Sequence, residues 1–140
     1  MLLTKECDYG VRIIRALADG TKKTVEIITK EENIPHRFAY KIIKKLEQAG
    51  YVNSVRGRSG GYYLAKPLNT FNLIDVVTAV DANRYINECL RPGADCELKE
   101  KPGRICAVHI ELARIQEVLT SEFCAKTMAE VLLREDDTDV

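Results

Sequence analysis

The stretch RGRSGGYYLAKP, from Arg56 to Pro67, decides how the rest of this 140-residue chain is read. Gly57, Gly60 and Gly61 permit a tight turn. The flanking runs Tyr51 to Val55 and Gly61 to Ala65 are rich in Tyr, Val and Leu, so a β-hairpin is predicted around RGRSG. Upstream, Pro35 is pre-set for a first helical turn, and the spacing predicts a helix from about Pro35 to Gln48 that buries Phe38, Ile42, Ile43 and Leu46 and ends at Gly50. The turn NIP separates it from a shorter helix, capped by Thr24 and running to about Glu32, with Val25 and Ile28 facing inward. Before that, Cys7, Val11, Ile14, Leu17 and Ala18 recur with a helical period from Lys5 to Ala18. Three helices followed by a hairpin make a winged helix-turn-helix, a mainly α fold with a small β-hairpin.

Downstream of the hairpin, Asn72 caps a helix LIDVVTAV. Asp81 to Gly103 holds two prolines and two glycines with little periodicity and reads as an irregular loop. From Arg104 to about Glu122, Ile105, Val108, Leu112, Ile115 and Leu119 step by three and four, a stripe sized for packing against another helix. Thr127 with Glu130 forms a capping box for a last short helix, MAEVLL, and the acidic end REDDTDV reads as a disordered tail. The expected organisation is therefore a winged helix-turn-helix over 1–80, a cysteine-bearing loop over 81–103, a long C-terminal dimerisation helix with a terminal helix over 104–134, and a tail over 135–140.

With 46% apolar and 30% charged residues, the chain has the composition of one core with an accessory element. No apolar run approaches the roughly 18 residues a membrane span needs, and MLLTKECDYG lacks a secretory layout, so a cytoplasmic protein without a membrane partner is expected. Net charge is zero, but unevenly spread. Met1 to Lys66 carries 13 Lys and Arg against 7 Asp and Glu, net +6, and Pro67 to Val140 carries 8 against 14, net −6. The first half is thus the candidate nucleic-acid face. No nucleophile–base pair, Gly-rich phosphate loop or acid pair in a recognisable context is present, which argues against an enzyme.

On the third helix, Arg37, Tyr40, Lys41 and Lys44 fall at i, i+3, i+4 and i+7, opposite the apolar positions. An α-helix fits the major groove, where Arg and Lys reach guanine edges or phosphates and Tyr donates to phosphate or touches a thymine methyl. Taken alone, such a face is equally compatible with simple solvation. The hairpin shifts the balance: Arg56 and Arg58 supply guanidinium forks on a turn small enough to approach a sugar-phosphate backbone, with Ser59, Gly60 and Tyr62 beside them. An arginine here also suits a narrow minor groove. His36 opens the helix where a phosphate contact is the natural role.

The opening LTKECDYGVRIIRALAD, the segment IPHRFAYKIIKKLEQAGYVNSVRGRSGGYYLAKP, the following LIDVVTAVD and Thr127 together resemble the Rrf-type bacterial winged-helix regulators, the group that includes IscR, NsrR, RirA and the repressor CymR, over nearly the whole chain. The resemblance implies a homodimer whose long C-terminal helices cross and which binds a palindromic or near-palindromic DNA operator.

Five cysteines in a reducing compartment do not read as a disulfide framework. Cluster-bearing members of the family place three cysteines in the loop before the dimerisation helix and at its start, and Cys89, Cys96 and Cys106 stand in those places. Thiolates are the preferred ligands of iron-sulfur clusters, two-iron or four-iron, and a loop with a helix N-terminus can converge three of them. The C-x6-C-x9-C spacing is longer than cluster-bearing members usually show. Two residues are candidates for the fourth ligand: His109, three residues after Cys106, as in IscR, or Asp8, where NsrR-like members recruit a partner's carboxylate. Zinc held by Cys89, Cys96, Cys106 and His109, or thiol redox sensing without a cluster, are the alternatives, although zinc sites usually contain tight C-x2-C pairs, absent here. Cys7 and Cys124 read as structural. The expected function is a homodimeric DNA-binding transcription regulator sensing cluster status, redox or nitric oxide; a regulator of the same fold answering to a metabolite or partner protein is the alternative.

Overall fold

The computed structural model describes residues 3–96 and 105–133, so Arg104 and the tail 134–140 lie outside the described residues. Its order is α1 (Lys5–Ala16), α2 (Val25–Glu32), α3 (His36–Gln48), β1 (Val52–Val55), β2 (Gly61–Leu64), α4 (Leu73–Val80), α5 (Ala107–Cys124) and α6 (Met128–Leu132), with 3-10 turns at Leu68–Thr70 and Glu88–Leu90. This is the mainly helical fold with a two-stranded hairpin and long C-terminal helix that the sequence predicts.

Side-chain oxygens start most of the helices, because the first backbone N–H groups of a helix lack intrahelical acceptors. Thr4 accepts from the Cys7 N–H, Thr24 from the Ile27 N–H, and Asn72 and Thr127 form reciprocal capping boxes with Asp75 and Glu130. Asn33, with φ 50°, closes α2, and Gly50, with φ 78°, follows the end of α3. Both adopt the left-handed conformation that a C-terminal stop requires.

One core joins α1 to α4 and β1. Ile13, Ile14 and Leu17, Ile28, then Ile42, Ile43 and Leu46, Val52, Val76 and Val77 are almost wholly sealed from solvent, and Cys7 is buried among them as expected. Each such aliphatic side chain stabilises the fold by about 1.5–3 kcal/mol relative to exposure. Phe38 departs from expectation: Ala39 is the buried residue of the first α3 turn, and Phe38 is half-buried against Tyr9, ring centroids 5.8 Å apart, beneath the Arg37 guanidinium. The periodicity of α3 places Ala39 and not Phe38 directly above Ile42 and Ile43, so the larger ring covers the rim.

The strands pair antiparallel, Val52 opposite Leu64 and Val55 opposite Gly61. A third extended residue joins them: Lys23, just before α2, exchanges backbone hydrogen bonds with Tyr62 at 3.0 and 2.8 Å. The wing is thereby tied to the linker between α1 and α2 as well as to α3.

The last two helices differ from each other. α6 returns to the core, with Met128 fully buried and its N–H donating to the Phe71 carbonyl at 2.9 Å. α5 buries no residue completely. It begins at Ala107 with Cys106 as the cap, so Ile105 of the expected stripe precedes the helix and is 80% exposed. Of the remaining stripe, Val108 is 69% exposed while Leu112, Ile115 and Leu119 are half-covered, and Ile110 and Val118 add further exposed apolar surface. Cys124 ends α5 and is exposed, not packed. Among the described residues no helix is long and apolar enough to cross a membrane.

Candidate functional site

The residues singled out on α3 and the wing are solvent-facing. Arg37, Tyr40, Lys41 and Lys44 are exposed along α3, as are Arg56, Arg58 and Ser59 at the wing tip. Ion pairs among the described residues engage Lys41 and Lys45 but not Arg37, Lys44, Arg56 or Arg58. The amphipathicity of α3 causes this: the face opposite Ile42, Ile43 and Leu46 has nothing to bury, so long cationic side chains extend from it. His36 stacks edge-on to Tyr40, centroids 5.1 Å apart, and lies 3.8 Å from Glu26.

The wing turn depends on Gly60. A Cβ there would sit 2.4 Å from the Val55 carbonyl oxygen, and the Gly60 N–H closes the turn onto the Gly57 carbonyl at 2.9 Å. Tyr62 lies at the wing base, half-buried; burial chiefly, and the carboxylate of Glu47 next, pushes its phenol above the ordinary tyrosine value. It therefore stays protonated and a hydrogen-bond donor. Arg56 and Arg58 project from the turn that these two residues hold.

One charged residue at this face had no signal in the sequence. The Glu6 carboxylate, on α1, accepts from Lys41 Nζ at 2.7 Å and from Lys45 Nζ at 2.9 Å. These two ammonium groups, Lys41 first, hold it below the ordinary glutamate value. Its partners are 35 and 39 residues away, a separation that no periodicity or capping rule reaches. Lys45 is held a second time by the Val80 carbonyl at 2.6 Å.

Of the five cysteines, Cys7 lies in α1, Cys124 ends α5, and Cys89, Cys96 and Cys106 precede α5 in the chain. Cys89 lies in the 3-10 turn Glu88–Leu90, capped by Asn87, within the segment expected to be irregular. Cys106 is the N-terminal cap residue of α5, without a side-chain capping hydrogen bond. Cys89, Cys96 and Cys106 are all half-buried thiols. His109 stands three residues beyond Cys106, its Nδ1 buried with no hydrogen-bond partner. Asp8 is occupied otherwise, accepting from Arg12 at 2.9 and 3.1 Å. Three thiols and an imidazole are a chemically suitable donor set for an iron-sulfur cluster or zinc. Among the described residues of one chain, however, no three His, Cys, Asp or Glu side chains gather closely enough to hold a metal ion.

Gln116 of α5 fixes the entry to this loop. Its Oε1 accepts from the Ile86 N–H at 2.9 Å, and its Nε2 donates to the Arg84 carbonyl at 3.3 Å and to Thr120 at 3.2 Å. A glutamine on a helix flank carries no recognisable motif, and its partners depend on how the loop folds back.

Residues 3–134 match the family described as Rrf2, iron-dependent transcriptional regulator. Protein aau3 of Rhizobium meliloti strain 1021 is 34% identical over 122 residues, covering 85% of this chain and 79% of that one. Among solved structures, CymR (YrzC), the global cysteine regulator of B. subtilis, superposes with a TM-score of 0.75 at 19% identity, covering 97% of this chain and 99% of the other. IscR of T. potens gives the same TM-score at 17% identity, covering 100% and 92%.

Proposed function

Because this chain belongs to the Rrf2 family of transcription regulators, we propose that it binds operator DNA as a homodimer and couples that binding to an iron-sulfur cluster held by Cys89, Cys96, Cys106 and His109. Members of the family are regulators and not enzymes. The wing arginines Arg56 and Arg58 take the sugar-phosphate backbone, with Ser59 and Gly60 at the point of approach. Arg37, Tyr40, Lys41 and Lys44 enter the major groove from α3, and Tyr62 braces the wing against it.

The observation carrying the choice of ligand is the orphaned His109 Nδ1, one helical turn from Cys106. A buried imidazole nitrogen without a partner costs about 1–3 kcal/mol, a cost that a bound metal removes. Asp8, the other candidate, already has its charge balanced by Arg12. When bound, the cluster supplies sensitivity to oxidants or nitric oxide. The chain's own residues turn that into a DNA response: Gln116 holds the backbone of Arg84 and Ile86 on α5, the helix that sets the distance between the two wings of the dimer. A cluster changes operator affinity only by as much as it favours one spacing over the other.

A second reading is thiol sensing by the same cysteines without a cluster, and the absence of any three-donor group among the described residues favours it. The likeness to CymR, described as a cysteine regulator, is compatible with it. The two are separated by purifying the protein without oxygen and measuring its visible spectrum, iron and sulfide. A coloured protein whose spectrum changes in His109→Ala but not in Asp8→Ala supports the proposal. The reverse pattern transfers the fourth ligand to Asp8, and a colourless, iron-free protein whose operator affinity responds to thiol oxidation establishes the second reading.

A further inference from the structure

Glu6, on α1, sits on two lysines of α3. Its two carboxylate oxygens are shared between Lys41, at 2.7 Å, and Lys45, at 2.9 Å, on the helix proposed to enter the major groove. The two lysines are not equally committed. Lys45 is half-covered and donates also to the Val80 carbonyl, at 2.6 Å, so it works as an anchor between α3, α1 and α4. Lys41 is 58% exposed and has Glu6 as its ion-pair partner. Of the two, Lys41 is the ammonium that can turn outward.

We propose that Glu6 limits the grip of this protein on arbitrary DNA by occupying Lys41 with an internal anion, and this rests on the DNA-binding reading above. A glutamate carboxylate resembles a phosphate in offering two anionic oxygens to an ammonium. Sequence-independent DNA affinity comes almost entirely from lysines and arginines that neutralise phosphates and release the counterions condensed on them, with about 0.9 of salt slope per phosphate neutralised. A lysine already neutralised within the protein contributes little of that. It contributes fully only where a phosphate is held beside it long enough to share its three N–H donors with Glu6. Glu6 thus removes one cation from the loose encounter while leaving it available once α3 is seated. The Glu6–Lys41 ion pair is a weak surface pair, so exchange is fast and the effect is one of competition and not of a locked conformation.

The test uses the intact dimer, a fluorescent 20-base-pair duplex of mixed sequence as the probe, and a potassium chloride series. Glu6→Gln keeps the size and hydrogen-bonding reach of the side chain while removing its charge. It is expected to bind the duplex about 5-fold more tightly at low salt, with the dependence of log affinity on log salt steeper by about 0.9. In a Lys41→Gln background the same change is expected to have little effect, which assigns the gain to Lys41 and not to a general change in potential. If Glu6→Gln binds with unchanged or weaker affinity while Lys41→Gln still weakens binding, the Glu6 proposal is overturned and the DNA-binding reading stands. If the wild-type protein shows no affinity for any duplex down to low salt, both are overturned. Should Glu6→Gln melt early, Glu6→Asp takes its place. It retains the charge but is one methylene too short to span both lysines, and the same direction is expected.

Discussion

The α1–α4 unit and α5 treat their apolar side chains in opposite ways. From Ile13 to Val80 most apolar positions close on one another, Ile27 and Val55 excepted, each main helix of this unit but α3 has a side-chain cap, and cations line the exposed face of α3. α5 buries nothing completely and leaves Val108, Ile110 and Val118 more than half exposed. A finished core can act as fixed reading equipment. An uncovered apolar helix has a surface still to be satisfied, which is where a second copy and a signal can act. Cys89, Cys96 and Cys106, the proposed ligands, lie outside that closed core, whereas the proposed DNA contacts lie on it.

The contrast can be broken most directly in the core. Leu46→Ala is expected to lower unfolding stability by about 3 kcal/mol and to abolish DNA binding at 37 °C, seen in a urea titration; a loss under about 1 kcal/mol would mean that the α1–α4 unit is not closely packed. On α5, Val108→Glu combined with Val118→Glu is expected to leave helical content intact but to convert a dimer to a monomer in sedimentation velocity. If sedimentation is unchanged, the exposed α5 surface is not the dimer contact. At the wing, Arg58→Ala is expected to weaken duplex binding about 10-fold and to flatten the salt slope by about one, with the melting temperature unchanged.

The smallest effect concerns Asp19, which closes the turn after α1. The Thr21 N–H, then the Thr21 hydroxyl and Lys23, hold its carboxyl down to about 2 from an ordinary 3.8. A folded-state value below the unfolded one stabilises the fold above pH 3.8, and that contribution is lost as pH falls toward 2. The wild type should therefore melt slightly above Asp19→Asn at pH 7, and the gap should close between pH 4 and 2. A gap that persists at pH 2 would show that charge is not its origin.

Much of the reading unit was legible because its signals are local. Thr24, Asn72 and Thr127 announce helix starts within three residues, and the glycines of RGRSGG announce the turn whose geometry Gly60 enforces. The cysteine region was less legible. The long helix was anticipated, but its start moved from Arg104 to Ala107, and Ile105 fell off the stripe, because periodicity continues through a cap that it does not detect.

Residue order alone determined which segments become helix or hairpin and which face of α3 is cationic, since both follow from spacings of a few residues. Tertiary structure alone decided that Lys23 joins the wing, that Met128 returns to the core, that Gln116 clamps the cysteine loop, and that Glu6 sits on Lys41 and Lys45. Each of these joins residues between 30 and about 55 positions apart or closes the chain on a distant element. Such contacts exist only after the core has brought their backbones together, and no short-range pattern encodes them.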